Sequence, residues 1–245
     1  HRLFISKTML DNFPTYKELF QKAFPNANLN DNLQLKINAG LAIAAFERTL
    51  LSNQAPFQQW LKGNYGAMTE TQKAGAKVFF GKGQCYQCHN GPSLASMNFY
   101  ALGMNDLKNG NYGINTVMAV TSEKAEHKGR GGFTGKAEDM YKFKVPQLYN
   151  LKDSPFYGHG ATFYKIEDVL TYKNAAKSEN AKVPASQLAT QFKPLGLSSE
   201  ELKQLTEFIK NGLHDNNLQR YVPSKLPSGF AFPNNDAQSK KDLGF

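Results

Sequence analysis

Cysteine is nearly absent from this chain: there are two in 245 residues, Cys85 and Cys88. So sparse a supply excludes a fold stapled by several disulfides. No apolar run approaches the ~20 residues needed to cross a bilayer as a helix, so no membrane span is expected. Alternation of apolar and polar residues is scarce and no segment repeats, which argues against a β-sandwich and a solenoid alike. Acidic residues are the minority, 20 Asp+Glu against 29 Lys+Arg, for a net charge of +9. Such an excess favours acidic partners and speeds their encounter. No nucleic-acid recognition motif accompanies it, so nucleic acid is not the expected partner. Methionine is missing from the whole stretch 141–245.

What is present is concentrated in one run, Cys85-Tyr86-Gln87-Cys88-His89. The C-x-x-C-H spacing is the attachment signature of a c-type haem. Both thiols become thioethers to the porphyrin, and the neighbouring imidazole reaches the iron as axial ligand. A zinc site would need further ligands, and His1, His127, His159 and His214 show no paired metal spacing. A redox dithiol would have no use for His89. Assembly of such a haem takes place outside the cytoplasm, so a periplasmic location is expected. The chain opens on His1, without an initiator Met or a leader, which reads as processed or truncated material.

The pattern along the chain is mainly helical, with few helices and long glycine-rich loops. That is what a cytochrome c fold packed around a covalent haem requires. Residues 14–24 form a short amphipathic helix and residues 31–51 a longer one rich in Ala, Leu and Ile. Thr69-x-x-Gln72 and Ser198-x-x-Glu201 are capping boxes that open two further helices, the first running through Phe80. Another helix is expected over Ile166–Lys173. Residues 1–64 read as a helical segment, 65–221 as the haem domain and 222–245 as an extended tail.

Several stretches together resemble a known family. They are Leu19-Phe20-x-x-Ala23-Phe24-Pro25, Ala42-Ile43-Ala44-Ala45-Phe46-Glu47-Arg48-Thr49-Leu50, and Pro56-Phe57 with Trp60-Leu61-x-Gly63. The haem motif follows with Asn90-Gly91-Pro92 and Phe99-x-x-x-Gly103, then Lys142 to Leu148 with Asn150, Ser154-Pro155-Phe156 and Gly158-His159. Over residues 16–215 the order is similar to that of the bacterial di-haem cytochrome c peroxidases and their MauG-type relatives. The resemblance implies a second haem, the peroxidatic one, on an N-terminal domain that this sequence does not contain. Residues 1–64 would then be the remnant of that domain or its interface.

The resemblance also suggests roles. His89 corresponds to the proximal ligand of the electron-transferring haem, with Cys85 and Cys88 as anchors. Glu47 corresponds to the acid–base carboxylate over the peroxidatic haem. The sixth ligand comes, in the family, from the helix after Gly158-His159. There Lys173 falls at the ligand position and Tyr172 one residue before it. Periodicity places Lys173 on the face of Ile166, Val169 and Leu170, and Tyr172 on the side of Lys165 and Asp168. Met104, Met118, Met140 or an open position are the other possibilities. Asp153 and Pro155 match a turn whose backbone carbonyls hold Ca²⁺ in the family. Arg130 is suited to a haem propionate, and His159 to a hydrogen bond near the haem edge. Trp60 reads as core.

The function implied is the electron-transfer half of a di-haem peroxidase. Electrons would pass from a small acidic donor protein, a cytochrome c or cupredoxin, to a haem that reduces H₂O₂, or oxidises another substrate as MauG-type proteins do. A homodimer is compatible with this. The alternative is a mono-haem cytochrome that only carries electrons.

Overall fold

A computed structural model of the chain describes residues 5–105, 125–217 and 226–228. Two compact units emerge, residues 1–51 with 218–245 and residues 52–217. The expected tail 222–245 and Met118 lie almost wholly outside the described residues.

In the first unit, α1 (Lys7–Asn12) is opened by Ser6, whose hydroxyl accepts from the Met9 amide. Pro14 begins α2 (Pro14–Ala23), where a missing N–H costs nothing. The carboxylate of Asp31 caps α3 (Asn32–Glu47) by accepting from the amides of Leu33 and Gln34. Leu10, Leu35 and Ala39 form a small core, with Tyr16 and Phe20 against it. The third helix stops at Glu47 rather than at Leu51. Thr49 diverts the backbone there, its hydroxyl donating to the Phe46 carbonyl while its amide does the same. Leu33, Ile37, Leu41, Ile43 and Phe46 remain exposed along this helix.

The second unit begins before residue 64, because Ala55 and Phe57 of α4 (Pro56–Leu61) are buried in its core. Both capping boxes form. Thr69 and Gln72 exchange bonds at the start of α5 (Glu70–Phe80), and Ser198 and Glu201 do so at α8 (Ser199–Glu207). Between α5 and α8 come α6 (Arg130–Thr134) and α7 (Ile166–Ala175). One π-helical turn, Phe208–Gly212, extends α8 and buries Phe208, Ile209 and Leu213. Helices α5 and α8 cross at Gly75, where a Cβ would lie 2.0 Å from the Gln204 carbonyl oxygen. That closeness lets Phe79 and Phe57 meet Phe208 at 5.5 and 5.2 Å between ring centroids.

Strand content is minimal among the described residues. β1 (Phe99–Tyr100) pairs antiparallel with β2 (Phe143–Lys144), Phe99 opposite Lys144. This ribbon carries the segment before Pro146 back to the turn after α5. No helix of the described residues is long and apolar enough to cross a membrane.

Candidate functional site

Helix α5 ends at Gly81, and Gln84 takes a left-handed φ of 52°. The chain then winds into a single tight turn at Cys85–Gln87. The amides of Cys88 and His89 both donate to the Cys85 carbonyl, at 3.2 and 2.9 Å. Both thiols and the imidazole thus sit on one tight loop and are partly buried. Burial pushes the Cys85 thiol up to about 11 and raises Cys88 as well. The Tyr100 hydroxyl, delivered by β1, bonds to Cys88 and partly offsets this.

His89 is held by the loop that follows it. Gly91 adopts a φ of 73° and Leu94 one of 50°, a left-handed conformation that a leucine rarely takes. The Leu94 amide donates to the Gly91 carbonyl, and the Leu94 carbonyl lies 3.1 Å from His89 Nδ1. A carbonyl only accepts, so Nδ1 carries the proton and Nε2 keeps its lone pair. Burial drives the imidazole pKa down to about 4, with the Lys173 charge acting the same way. The carbonyls of Leu94 and Pro146 oppose that shift. At neutral pH the ring is therefore neutral, as a ligand to iron must be.

Helix α7 faces this turn. Desolvation pulls the Lys173 pKa below its usual value, and the groups it senses are Cys85 and Cys88. Tyr172 points elsewhere. Its buried hydroxyl donates to the Leu102 carbonyl at 2.6 Å, and its ring lies between Phe163 and Phe192. Two sulfurs and a neutral imidazole with a free Nε2 therefore share one tight turn. This donor set fits a covalent haem c. No cluster of three or more His, Cys, Asp or Glu side chains, as a zinc site would need, occurs among the described residues.

A family model described as di-haem cytochrome c peroxidase matches residues 6–66. The cytochrome c551 peroxidase of Pseudomonas aeruginosa is 30% identical, the match covering 69% of this chain and 44% of the relative. The chain belongs to the di-haem cytochrome c peroxidase and MauG family. The methylamine utilization protein MauG of Methylorubrum extorquens is 27% identical over 80% of this chain and 49% of its own length. The chain spans about half the length of the curated relatives it matches. Among solved structures, a MauG-like protein associated with microbial copper homeostasis superposes with a TM-score of 0.67 at 23% identity. That match covers 86% of this chain and 62% of the other, and it establishes the mainly α, cytochrome c-type fold.

In this member of the family the remaining residues of interest are dispersed. Glu47 ends α3 in the first unit. It is exposed and makes no ion pair, with Arg48 or otherwise, among the described residues. Arg130 places its Nε 3.2 Å from Asp139 and its guanidinium 4.6 Å from the Phe99 ring centre, so a propionate would have to share it with Asp139. His159 stacks on Phe143 at 3.7 Å. Asp153 bonds His214 at 3.0 Å through its carboxylate. Met140 abuts Gly131, and the Met104 sulfur lies beside Gly158. Trp60 stacks on Phe57 at the edge of the core.

Leu94 and Tyr100 are site residues that no spacing rule reveals. The only local signal for Leu94 is the Gly91-Pro92 turn before it. Tyr100 reaches Cys88 through strand pairing across more than forty residues, which no local pattern encodes.

Proposed function

We propose that this chain is the electron-transfer half of a di-haem c-type peroxidase. It receives single electrons from a small acidic donor protein, a cytochrome c or cupredoxin, and delivers them to a second, peroxidatic haem where H₂O₂ becomes water. The observation that carries the reading is the C-x-x-C-H turn, whose imidazole is held in place by the Leu94 carbonyl and kept neutral by burial. When bound, haem c supplies an iron that alternates between ferric and ferrous and so moves one electron at a time. The chain supplies the rest. Cys85 and Cys88 tether the macrocycle, and the Leu94 carbonyl orients His89 toward the iron.

Glu47 is assigned the proton-handling role at the second haem, taking a proton from peroxide and returning it to the leaving oxygen. The exposed apolar residues of α3 that precede it support this assignment, because such a face is usually covered in a complete protein. A Ca²⁺ ion, where bound, would take the backbone carbonyls of Asp153 and Pro155. Oxidation of another substrate in the MauG manner is a variant of the same scheme. Haem c maturation places the protein in the periplasm.

The test is a haem count and turnover assay on the protein purified from its native host. Two haems per molecule, or a co-purifying haem-bearing fragment, together with peroxide-driven oxidation of a donor cytochrome, is the expected result. One haem, no companion and no peroxide consumption would replace the reading with that of a simple electron carrier.

A further inference from the structure

We propose that Asp215 is a clasp closing both places where the chain passes between its two units, and through them a positioning residue for the reaction. The clasp stands on geometry alone; the positioning role rests on the peroxidase reading above.

The chain enters the second unit at Ser52 and leaves it after Asn217. A crossing between compact units is ordinarily a flexible linker with few contacts. Here both crossings are tied to one side chain, and Asp215 is only 3% exposed. Its Oδ2 accepts from the successive amides of Asn53 and Gln54, each at 2.8 Å. Its Oδ1 accepts from the Asn217 amide, also at 2.8 Å. Two consecutive amides aimed at one oxygen form a small anion nest. A carboxylate removed from water is costly unless its lone pairs are taken up, and its bonds to amides are stronger than those between neutral groups. Neither crossing can therefore loosen without stranding part of this buried group.

Asn150 braces the clasp from a third segment. Its backbone takes a left-handed φ of 59°, which asparagine tolerates better than most residues. Its Oδ1 accepts from the Ser52 hydroxyl at 2.8 Å and from the Asp215 amide at 3.2 Å, while its Nδ2 donates to the Asp215 carbonyl at 3.2 Å. A carboxylate that merely shaped its own turn would need only the bond to Asn217. The bonds to Asn53 and Gln54 reach 162 and 161 positions back along the chain, to the other crossing. Glu47, given the proton-handling role above, ends α3, and only Arg48 to Leu51 separate it from that crossing. A short tether transmits position when its end is fixed and loses it when the end is free.

The experiment uses the whole haem-loaded protein and compares wild type with Asp215→Asn, Asp215→Ala and Asn150→Gly. The asparagine keeps the size of the side chain but has one acceptor oxygen, so it can hold one crossing and must release the other. Alanine releases both, and Asn150→Gly keeps the left-handed backbone while removing the brace. Hydrogen exchange is followed over residues 50–56 and 214–217, with α5 and α8 as the internal reference. Wild type should exchange slowly in both stretches. Asp215→Asn should speed exchange at least tenfold in one stretch and Asp215→Ala in both, Asn150→Gly should raise it in both to a smaller extent, and α5 and α8 should stay as in wild type. In turnover, kcat for peroxide should fall several-fold in the Asp215 variants. The KM for peroxide, the haem potential and haem reduction by a neutral reductant should not change. Wild-type exchange rates in Asp215→Asn overturn the clasp, and so does an acceleration that spreads equally to α5 and α8, which would mark a side chain that only supports the fold. Full kcat in a variant with freed amides overturns the positioning role. A wild type that consumes no peroxide defeats the peroxidase reading and the positioning role with it, while the exchange data still decide the clasp. Should Asp215→Ala fail to accumulate, Asp215→Asn decides.

Discussion

At the scale of single residues, the site is a matter of which lone pairs are left free. His89 Nδ1 is committed to Leu94, so Nε2 is the available nitrogen; Tyr172 is committed to Leu102, so its hydroxyl is not available. Cys85 and Cys88 have thiols raised by burial, so they are poor free nucleophiles at neutral pH in the folded chain. Replacing both by alanine should abolish the haem band on a denaturing gel, whereas a His89→Ala chain should keep the band and lose its low-spin spectrum. A band retained without either cysteine would show that the porphyrin is not held by thioethers. Tyr172→Phe removes one buried bond and leaves the Leu102 carbonyl unpaired, a loss of about 1–3 kcal/mol measurable by denaturant unfolding. These roles were partly legible in the sequence. The thioether and proximal positions follow from C-x-x-C-H alone, because chemistry demands adjacent residues there. The engagement of Tyr172 did not, because it depends on where Leu102, Phe163 and Phe192 stand, and those contacts join residues up to seventy positions apart.

At the scale of elements, the site is set by how α5 and α8 cross. Gly75 allows the two backbones to approach, and the turn carrying Cys85 follows directly from the end of α5. Gly75→Ala forces a Cβ against the backbone oxygen of Gln204, which cannot swing aside as a side chain could. The expected loss is about 3 kcal/mol, at the upper end of overpacking costs. A thermal or denaturant midpoint equal to wild type would mean the crossing is looser than described. Thr69→Ala and Ser198→Ala each remove a helix cap worth about 1 kcal/mol. The two caps lie at opposite ends of an antiparallel pair, Gln72 meeting Glu207 and Lys82 meeting Glu201, so the losses in the double variant should add. Glu201 belongs to the second cap, and the Lys82 ammonium holds its carboxyl below the usual range. A carboxyl lowered on folding stabilises above the ordinary carboxylate range, and the contribution is lost as pH falls through the lowered value. Wild type and Glu201→Gln should therefore differ in unfolding midpoint at neutral pH and converge in acid. Both caps were readable from the sequence because Thr69/Gln72 and Ser198/Glu201 obey a local rule. The overshoot of α3 past Glu47 came from reading apolar content without the Thr49 hydroxyl, which competes for the last carbonyls. The π turn after Glu207 was invisible because it is imposed by burying Phe208 and Leu213 together.

At the scale of the whole molecule, what remains is how electrons arrive. A net charge of +9 produces a positive field that reaches beyond any one contact. At physiological ionic strength the Debye length is about 8 Å, so this field acts on an approaching protein only at close range and weakens further with salt. If acidic donors are steered by it, the second-order rate of reduction of the ferric haem must fall as salt is added. A neutral small-molecule reductant feels no such field and serves as the internal control, since salt that merely altered the haem pocket would slow both. The expected outcome in stopped-flow is a steep decline with ionic strength for a reduced acidic cupredoxin or cytochrome, and a flat response for the neutral reductant. Equal salt dependence for the two would show that the basic surface serves something other than the donor. In that case the excess of lysine would have to be explained by the half of the relatives' length that this chain does not span, with the exposed apolar face of α3 as the place to look.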